Sequence, residues 1–182
     1  DLLAVLVAFD TTSRESNLHL IEFVRDYLAN LDVPCELIYN EARSKANLFA
    51  TIGPADRPGI VLSGHTDVVP VDGQPWTVAP FELSEHEGKL FGRGTADMKG
   101  YIACVLAAVP QLLAAPLSMP VHIALSYDEE VGCLGVRSLL AELEKRPVKP
   151  LLCIIGEPTE LKPVLGHKGK LAMRCDVHGA AC

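Results

Sequence analysis

Apolar positions along the chain change period several times, and each change marks an element. Leu2 to Phe9 is a short apolar run after Asp1 and predicts a first helix over 1–8. A polar loop, Asp10 to Ser16, follows. Leu18, Ile21, Phe23, Val24, Tyr27, Leu28 and Leu31 then recur largely at helical spacing, with Ser16 or Asn17 placed to cap the helix they form. Pro34 to Tyr39 and Asn47 to Ile52 read as two adjacent strands, so the sheet is expected to hold antiparallel members. Gly53-Pro54 and Pro58-Gly59 are turn signals that lead into a continuous apolar run from Ile60.

Three such runs have the character of strands buried on both faces: Ile60 to Ser63, Val121 to Tyr127 and Leu151 to Ile155. An apolar helix over about Met98 to Ala115 precedes the second run, and Pro110 is expected to kink or end it. An amphipathic helix over about Leu134 to Arg146 separates the second run from the third. Strand–helix–strand order implies parallel pairing. The expected fold is α/β, a mixed and mostly parallel sheet flanked by helices. Between these parts, 70–80 is a Pro- and Gly-rich loop in which Trp76 reads as a packing residue, with substrate contact the open alternative. Phe81 to Leu83 and Lys89 to Phe91 read as a hairpin about Glu87-Gly88. Pro163 to Cys182 reads as paired strands turning near His167 to Lys170, with alternation from Leu171 to Val177. Its abrupt end is expected to be the start of a second module, giving domains at 1–166 and 167–182. A first residue that is not Met suggests that the natural start lies upstream.

Composition narrows the classes. The 182 residues are 49% hydrophobic and carry a net charge of -7, which argues for one folded domain and against nucleic acid or an anionic membrane as partner. No apolar run reaches the roughly 18–20 residues of a membrane span. Leu2 to Phe9 lacks the basic start and small-residue cleavage site of a secretory signal. Six cysteines without a C-x-x-C pair are expected to be reduced and packed as small hydrophobes in a cytoplasmic protein.

The chemistry gathers where the three runs end. In open α/β sheets ligands bind beyond the carboxyl ends of the strands. The first run delivers His65 and Asp67, the second Glu129 and Glu130, and the third Glu157; Asp97 lies in the glycine-dense loop G-R-G-T-A-D-M-K-G. Each has an ordinary reading. A histidine after a strand is commonly a simple hydrogen-bonding group, Asp97 could cap a helix, and Glu129-Glu130 could be a solvated first helical turn. Imidazole and carboxylate oxygens around a bridging carboxylate also suit two-ion metal chemistry. Collection of all of them at one sheet edge makes coincidence the weaker account. On a strand end the side chains of Glu129 and Glu130 should diverge, one toward a metal and the other toward substrate as general base.

S-G-H-T-D-V-V-P, G-R-G-T-A-D-M-K-G, Y-D-E-E-V-G and I-G-E-P-T resemble, in this order, the motifs of the di-zinc aminoacylase/carboxypeptidase metallopeptidase family. The resemblance implies that His65 and Glu157 bind one zinc, Asp97 bridges two, Glu130 binds the second, Glu129 is the general base and Asp67 orients His65. Cobalt or manganese would also suit these donors. It further implies a second metal histidine and an oxyanion histidine, both expected beyond Cys182, and a homodimer for the full-length protein. His178-Gly179 stands where the family's lid strand begins and is not expected to be a ligand. G-T-A-D-M-K-G and G-E-P-T-E-L-K-P-V-L-G-H-K-G are most similar to the branch that removes the acetyl group from N2-acetylornithine. Desuccinylation of succinyl-diaminopimelate, or hydrolysis of a related acylamino acid or dipeptide, stays open beside it. So does a catalytically silent metal- or protein-binding relative, although the paired base and orienter argue against that. The 182-residue chain by itself is expected to be inactive.

Overall fold

A computed structural model describes residues 1–166, 168, 169, 171 and 173–179. Helix α1 (Leu2–Ala8) is capped by the Asp1 carboxylate, which accepts the Leu3 N–H at 3.1 Å. Helix α2 (Leu18–Ala29) buries Leu20, Ile21, Val24 and Leu28, one stripe at helical spacing. Its N-cap residue Asn17 makes no cap bond with its side chain. Asn17 instead reaches sideways to the Ala46 backbone and the Thr66 hydroxyl, and the Ser16 hydroxyl accepts the Leu18 N–H.

Strands β1 (Cys35–Tyr39), β2 (Ala46–Ile52), β3 (Ile60–His65), β6 (Val121–Ser126) and β7 (Leu152–Ile155) form one sheet in the order β1-β2-β6-β3-β7. β2 runs antiparallel to β1 and to β6, whereas β3 is parallel to β6 and β7. Four strands therefore point one way and β2 opposes them, the mixed, mostly parallel sheet that the chain order implies. A separate hairpin pairs β4 (Ser84–His86) with β5 (Lys89–Phe91). Its first arm lies three residues later than expected, because Glu87 and Gly88 both take positive φ and form a two-residue turn that needs arms beginning at 86 and 89.

Alternation on the strands loads both faces. Leu48, Ala50, Ile52, Ile123 and Leu125 pack with Leu6, with the α2 stripe and with Ile102, Leu106 and Val109 of helix α3 (Lys99–Ala114). Phe49, Val61 and Ala124 face the other way, onto Leu139 of helix α4 (Val136–Glu144). Each fully buried Leu or Ile contributes about 1.5–3 kcal/mol by removal from water.

Several expectations are corrected. α3 runs through Pro110 without ending there. A proline at 110 cannot donate to the Leu106 carbonyl, and the Tyr27 hydroxyl takes that acceptor at 3.1 Å. β7 is an exposed edge strand: among the described residues β3 is its one neighbour in the sheet, and Leu152 is 53% and Ile155 62% exposed. The described residues from 163 onward form no strand; Leu165, Leu171, Met173 and Val177 are exposed and find no ladder partner. The turn expected at His167 to Lys170 falls partly outside the described residues. The described cysteines are free, as expected, but Cys104, Cys133, Cys153 and Cys175 are exposed and only Cys35 is half-buried. They sit on the outer face of α3, in the loop after β6, on the edge strand and in the extended terminal segment. Among the described residues no helix is long and apolar enough to cross a membrane.

Candidate metal centre

Register places the site. Ser126 pairs with His65, and Ser63 with Ile155, so the chain leaves β3, β6 and β7 at one edge, carrying His65 and Asp67, Glu129 and Glu130, and Glu157. Asp97 arrives from the loop before α3. Gly100 permits the tight entry into that helix, because a Cβ there would lie 2.3 Å from the Thr95 carbonyl. Gly156 is needed for another reason: the Tyr101 ring rests on it, and a Cβ would sit 2.0 Å from the ring. The Tyr101 hydroxyl also donates to the Ile154 carbonyl at 3.3 Å, so α3 helps to position the segment that carries Glu157.

His65 is buried at the centre. Its Nδ1 lies 2.8 Å from the Asp67 carbonyl and 3.5 Å from the Asp67 carboxylate. Its Nε2 lies 2.9 Å from Asp97 Oδ1, 3.9 Å from Glu157 Oε1 and 4.0 Å from Glu129 Oε2. Burial opposes charge on this ring, but Asp67, through side chain and carbonyl, together with Asp97 outweighs it and raises the pKa to about 9. Asp67 is also buried, which alone would raise its pKa. His65, the Ser13 hydroxyl (2.7 Å) and the Glu129 N–H (3.0 Å) hold it below the usual value instead. Glu130 is shifted upward, first by burial and then by the negative charge of Asp97.

Two donor sets emerge, His65 with Asp97 and Glu157, and His65 with Glu129 and Glu130, the donor atoms of each set lying within 4.8 Å of one another. The donor chemistry fits a cation. With its pKa raised to about 9, His65 keeps a proton on each ring nitrogen, Nδ1–H donating to the Asp67 carbonyl and Nε2–H to Asp97 at 2.9 Å; a divalent cation would take the place of the Nε2 proton among the same donors. The carboxylates of Asp97, Glu129 and Glu157 are half-exposed, which leaves the cluster open to an ion and to substrate.

All six singled-out residues therefore lie together. Asp97 is not a helix cap, since Met98 holds that position, and Glu129-Glu130 precedes α4 by several residues. One local expectation fails. Glu129 and Glu130 converge and do not diverge, because the strand ends at Ser126 and Asp128 takes φ +56°, which breaks the two-residue alternation. His65 is also held first by the Asp67 carbonyl, while the Asp67 carboxylate collects Ser13 Oγ and the Glu129 and Glu130 N–H groups. Reading by sequence gave Ser13, Lys45 and Asp128 no part in the site and took Asn17 only as a possible helix cap, yet all four support these loops, and Asp128 stands inside Y-D-E-E-V-G. The Arg93 guanidinium lies over the Trp76 ring at 5.0 Å, and the indole N–H donates to Gln74 Oε1.

Comparison with known proteins bears on the same residues. A model of peptidase family M20/M25/M40 matches residues 61–177, a span that includes every residue of both donor sets. The chain belongs to peptidase family M20/M25/M40. Among curated relatives, this M20/M25/M40 chain is 42% identical over 166 residues to an acetylornithine deacetylase of Pasteurella multocida, matching 91% of this chain and 42% of that protein. It is 40% identical over 173 residues to an acetylornithine deacetylase of Proteus mirabilis, matching 94% of this chain and 44% of the relative. The chain thus spans less than half the length of these relatives. Its fold matches human carnosine dipeptidase 1 (TM-score 0.72, 24% identity, 84% of this chain and 37% of that one). It also matches an M20 family metallo-carboxypeptidase from Sulfolobus solfataricus (TM-score 0.74, 21% identity, 85% and 36%). At those identities the structural likenesses establish the fold alone.

Proposed function

We propose that the complete protein is a metal-dependent amide hydrolase that removes the acetyl group from N2-acetylornithine, giving ornithine and acetate. The observation that carries the chemistry is the convergence of Asp97, Glu129 and Glu157 on Nε2 of buried His65. The choice of substrate follows the relatives of that name. His65, Asp97, Glu130 and Glu157 would hold two divalent ions, zinc or alternatively cobalt. Bound there, the metal supplies Lewis acidity and lowers the pKa of a coordinated water toward neutrality.

The chain's own residues do the rest. Asp67 keeps the Nδ1 proton of His65 turned away from the cluster, so that Nε2 faces the ion. Glu129 takes a proton from the attacking water and returns it to the departing amine nitrogen. Residues 1–166 form the N-terminal part of the catalytic domain in this reading, and 167–182 begin a lid and dimerisation domain. The free cysteines are consistent with work in a reducing cytoplasm.

The test is hydrolysis of N2-acetylornithine and of succinyl-diaminopimelate by the complete protein, with metal content measured in parallel. Preference for acetylornithine is expected, as is Glu129→Gln protein that keeps its metal and loses turnover. A protein that prefers the succinyl substrate contradicts the substrate assignment, and an active Glu129→Gln enzyme contradicts the assigned base.

A further inference from the structure

We propose that Lys45 is a positioning residue for this site, tying the loop after α1 to the loop after β6 and so fixing how Asp67 meets Glu129 and Glu130. The inference rests on reading the cluster as a hydrolytic metal centre. Lys45 stands in the β1–β2 turn, just before β2, and its side chain is only 13% exposed. Its ammonium donates to two acceptors at 2.5 Å each, the Ser13 carbonyl and Asp128 Oδ1, the latter on a side chain 15% exposed. Ser13 in turn bonds Asp67 Oδ2 through its hydroxyl and the Val68 carbonyl through its N–H. Asp128 directly precedes Glu129, whose N–H donates to Asp67 Oδ1.

The bonds close a ring: Lys45, Ser13, Asp67, Glu129, Asp128 and back to Lys45. Burying an ammonium and a carboxylate is costly and repaid only by good geometry, and an apolar side chain would fill the same space without that cost. What the ion pair does here is hold Asp128. That residue takes φ +56°, a conformation uncommon for a residue with a Cβ. The turn it makes brings the Glu129 and Glu130 carboxylates together beside His65. With Lys45 removed, Asp128 is left as a buried charge without its cation, and its relaxation carries the two glutamates away. Lys45 acts through Asp128 and Ser13, which accept its hydrogen bonds.

The test uses the complete protein with Lys45→Met, Asp128→Asn and the double variant. For Lys45→Met, kcat for acetylornithine should fall about ten- to hundredfold with KM moving less than about threefold, the pattern of disturbed positioning and not of lost substrate binding. Amide hydrogen exchange in peptides covering 127–131 should speed up while β1 and β2 stay protected. The double variant should be about as slow as either single one, because the two residues act as one unit. Unchanged kcat together with unchanged exchange at 127–131 overturns the proposal, and so does exchange that rises equally through β1 and β2. If Lys45→Met does not fold, Asp128→Asn decides by the same two readouts. A wild-type protein that hydrolyses no acylamino acid defeats the deacetylase reading instead, and the exchange measurement then decides the role of Lys45 alone.

Discussion

Asp67→Asn isolates what the buried carboxylate does, because it changes charge and hydrogen-bonding capacity but hardly changes shape. In the native site Oδ1 accepts the Glu129 N–H at 3.0 Å; Oδ2 accepts the Glu130 N–H at 3.2 Å and the Ser13 hydroxyl at 2.7 Å. An asparagine has one oxygen. Placed at the Oδ2 position, that oxygen keeps Ser13 and Glu130 but turns the amide NH2 against the Glu129 N–H. Placed at Oδ1, it keeps Glu129 and turns the NH2 against the Glu130 N–H, while the Ser13 hydroxyl rotates to accept. Either way one buried donor is orphaned, which costs about 1–3 kcal/mol, and the retained bonds lose their charge assistance. Asp67→Ala orphans both amides and leaves a cavity, for about 3–5 kcal/mol.

Urea unfolding of the complete protein in chelator measures the loss without the metal. Metal titration of the same variants should show affinity falling about 10–100-fold, since the Glu129–Glu130 loop is no longer pinned. The pH dependence has a definite sign. The folded pKa of Asp67 is lowered, so its stabilisation is complete above the unfolded value of about 3.9 and is lost as pH falls through the folded value. The gap between wild type and Asp67→Asn should therefore be full at neutral pH and close in acid. A neutral-pH gap under about 0.5 kcal/mol, with metal affinity unchanged, would falsify the assignment of Asp67 as the anchor of that loop.

Two other measurements test the scaffold. Tyr27→Phe should cost about 1–2 kcal/mol by leaving the Leu106 carbonyl without a donor, and Tyr27→Phe/Pro110→Ala should recover part of the loss because residue 110 then donates to that carbonyl; strictly additive unfolding energies would refute the compensation. Cys35 has its pKa raised to about 11, chiefly by burial, so it stays a thiol where an ordinary cysteine near 8.5 is half thiolate. Alkylation at pH 8.5 followed by peptide mass spectrometry should find it reacting on the order of 100-fold more slowly than an unperturbed thiol, and equal rates would contradict its burial.

The fold was legible where a signal is local and repeated. The α2 stripe, the strand runs and their order sufficed for a mixed α/β sheet, and order with parallel pairing brought three strand ends to one edge. The failures have physical reasons of two kinds. Of the two outcomes expected at Pro110, a kink or an end, the end does not occur; the rule against internal proline is local, whereas the hydroxyl that answers it comes from Tyr27, far away in the chain. β7 was misjudged because an apolar strand announces that it can be buried without saying what buries it; Leu152 and Ile155 are apolar and exposed alike. Within the site, the singled-out residues stood at motif positions, but two of the residues that aim them, Ser13 and Lys45, did not. Asp128 lay inside Y-D-E-E-V-G, but nothing in the sequence pairs it with Lys45; only the folded chain links Lys45, Asp128 and Ser13 to Asp67.

The electrostatics of the cluster supply a further argument for the proposed function. Asp67, Asp97, Glu129, Glu130 and Glu157 gather about one imidazole, whose positive charge offsets part of theirs, and Lys45 is committed to Asp128 and the Ser13 carbonyl. Like charges this close raise the cost of the folded state, and part of that cost registers at Glu130, whose carboxyl is shifted upward first by burial and then by Asp97 and Glu129, with His65 pulling the other way. A chain under no functional demand would lower it by placing amides or apolar groups at some of these positions. Here His65 and its carboxylates are braced by Ser13, by backbone amides and by the packing of Tyr101 on Gly156, so the repulsion is held in place and not relaxed. Local disagreement with stability rules, maintained by the surrounding structure, is the physical mark of a functional site. A divalent cation resolves this particular disagreement, since it gains from each carboxylate that the metal-free fold must hold against the others.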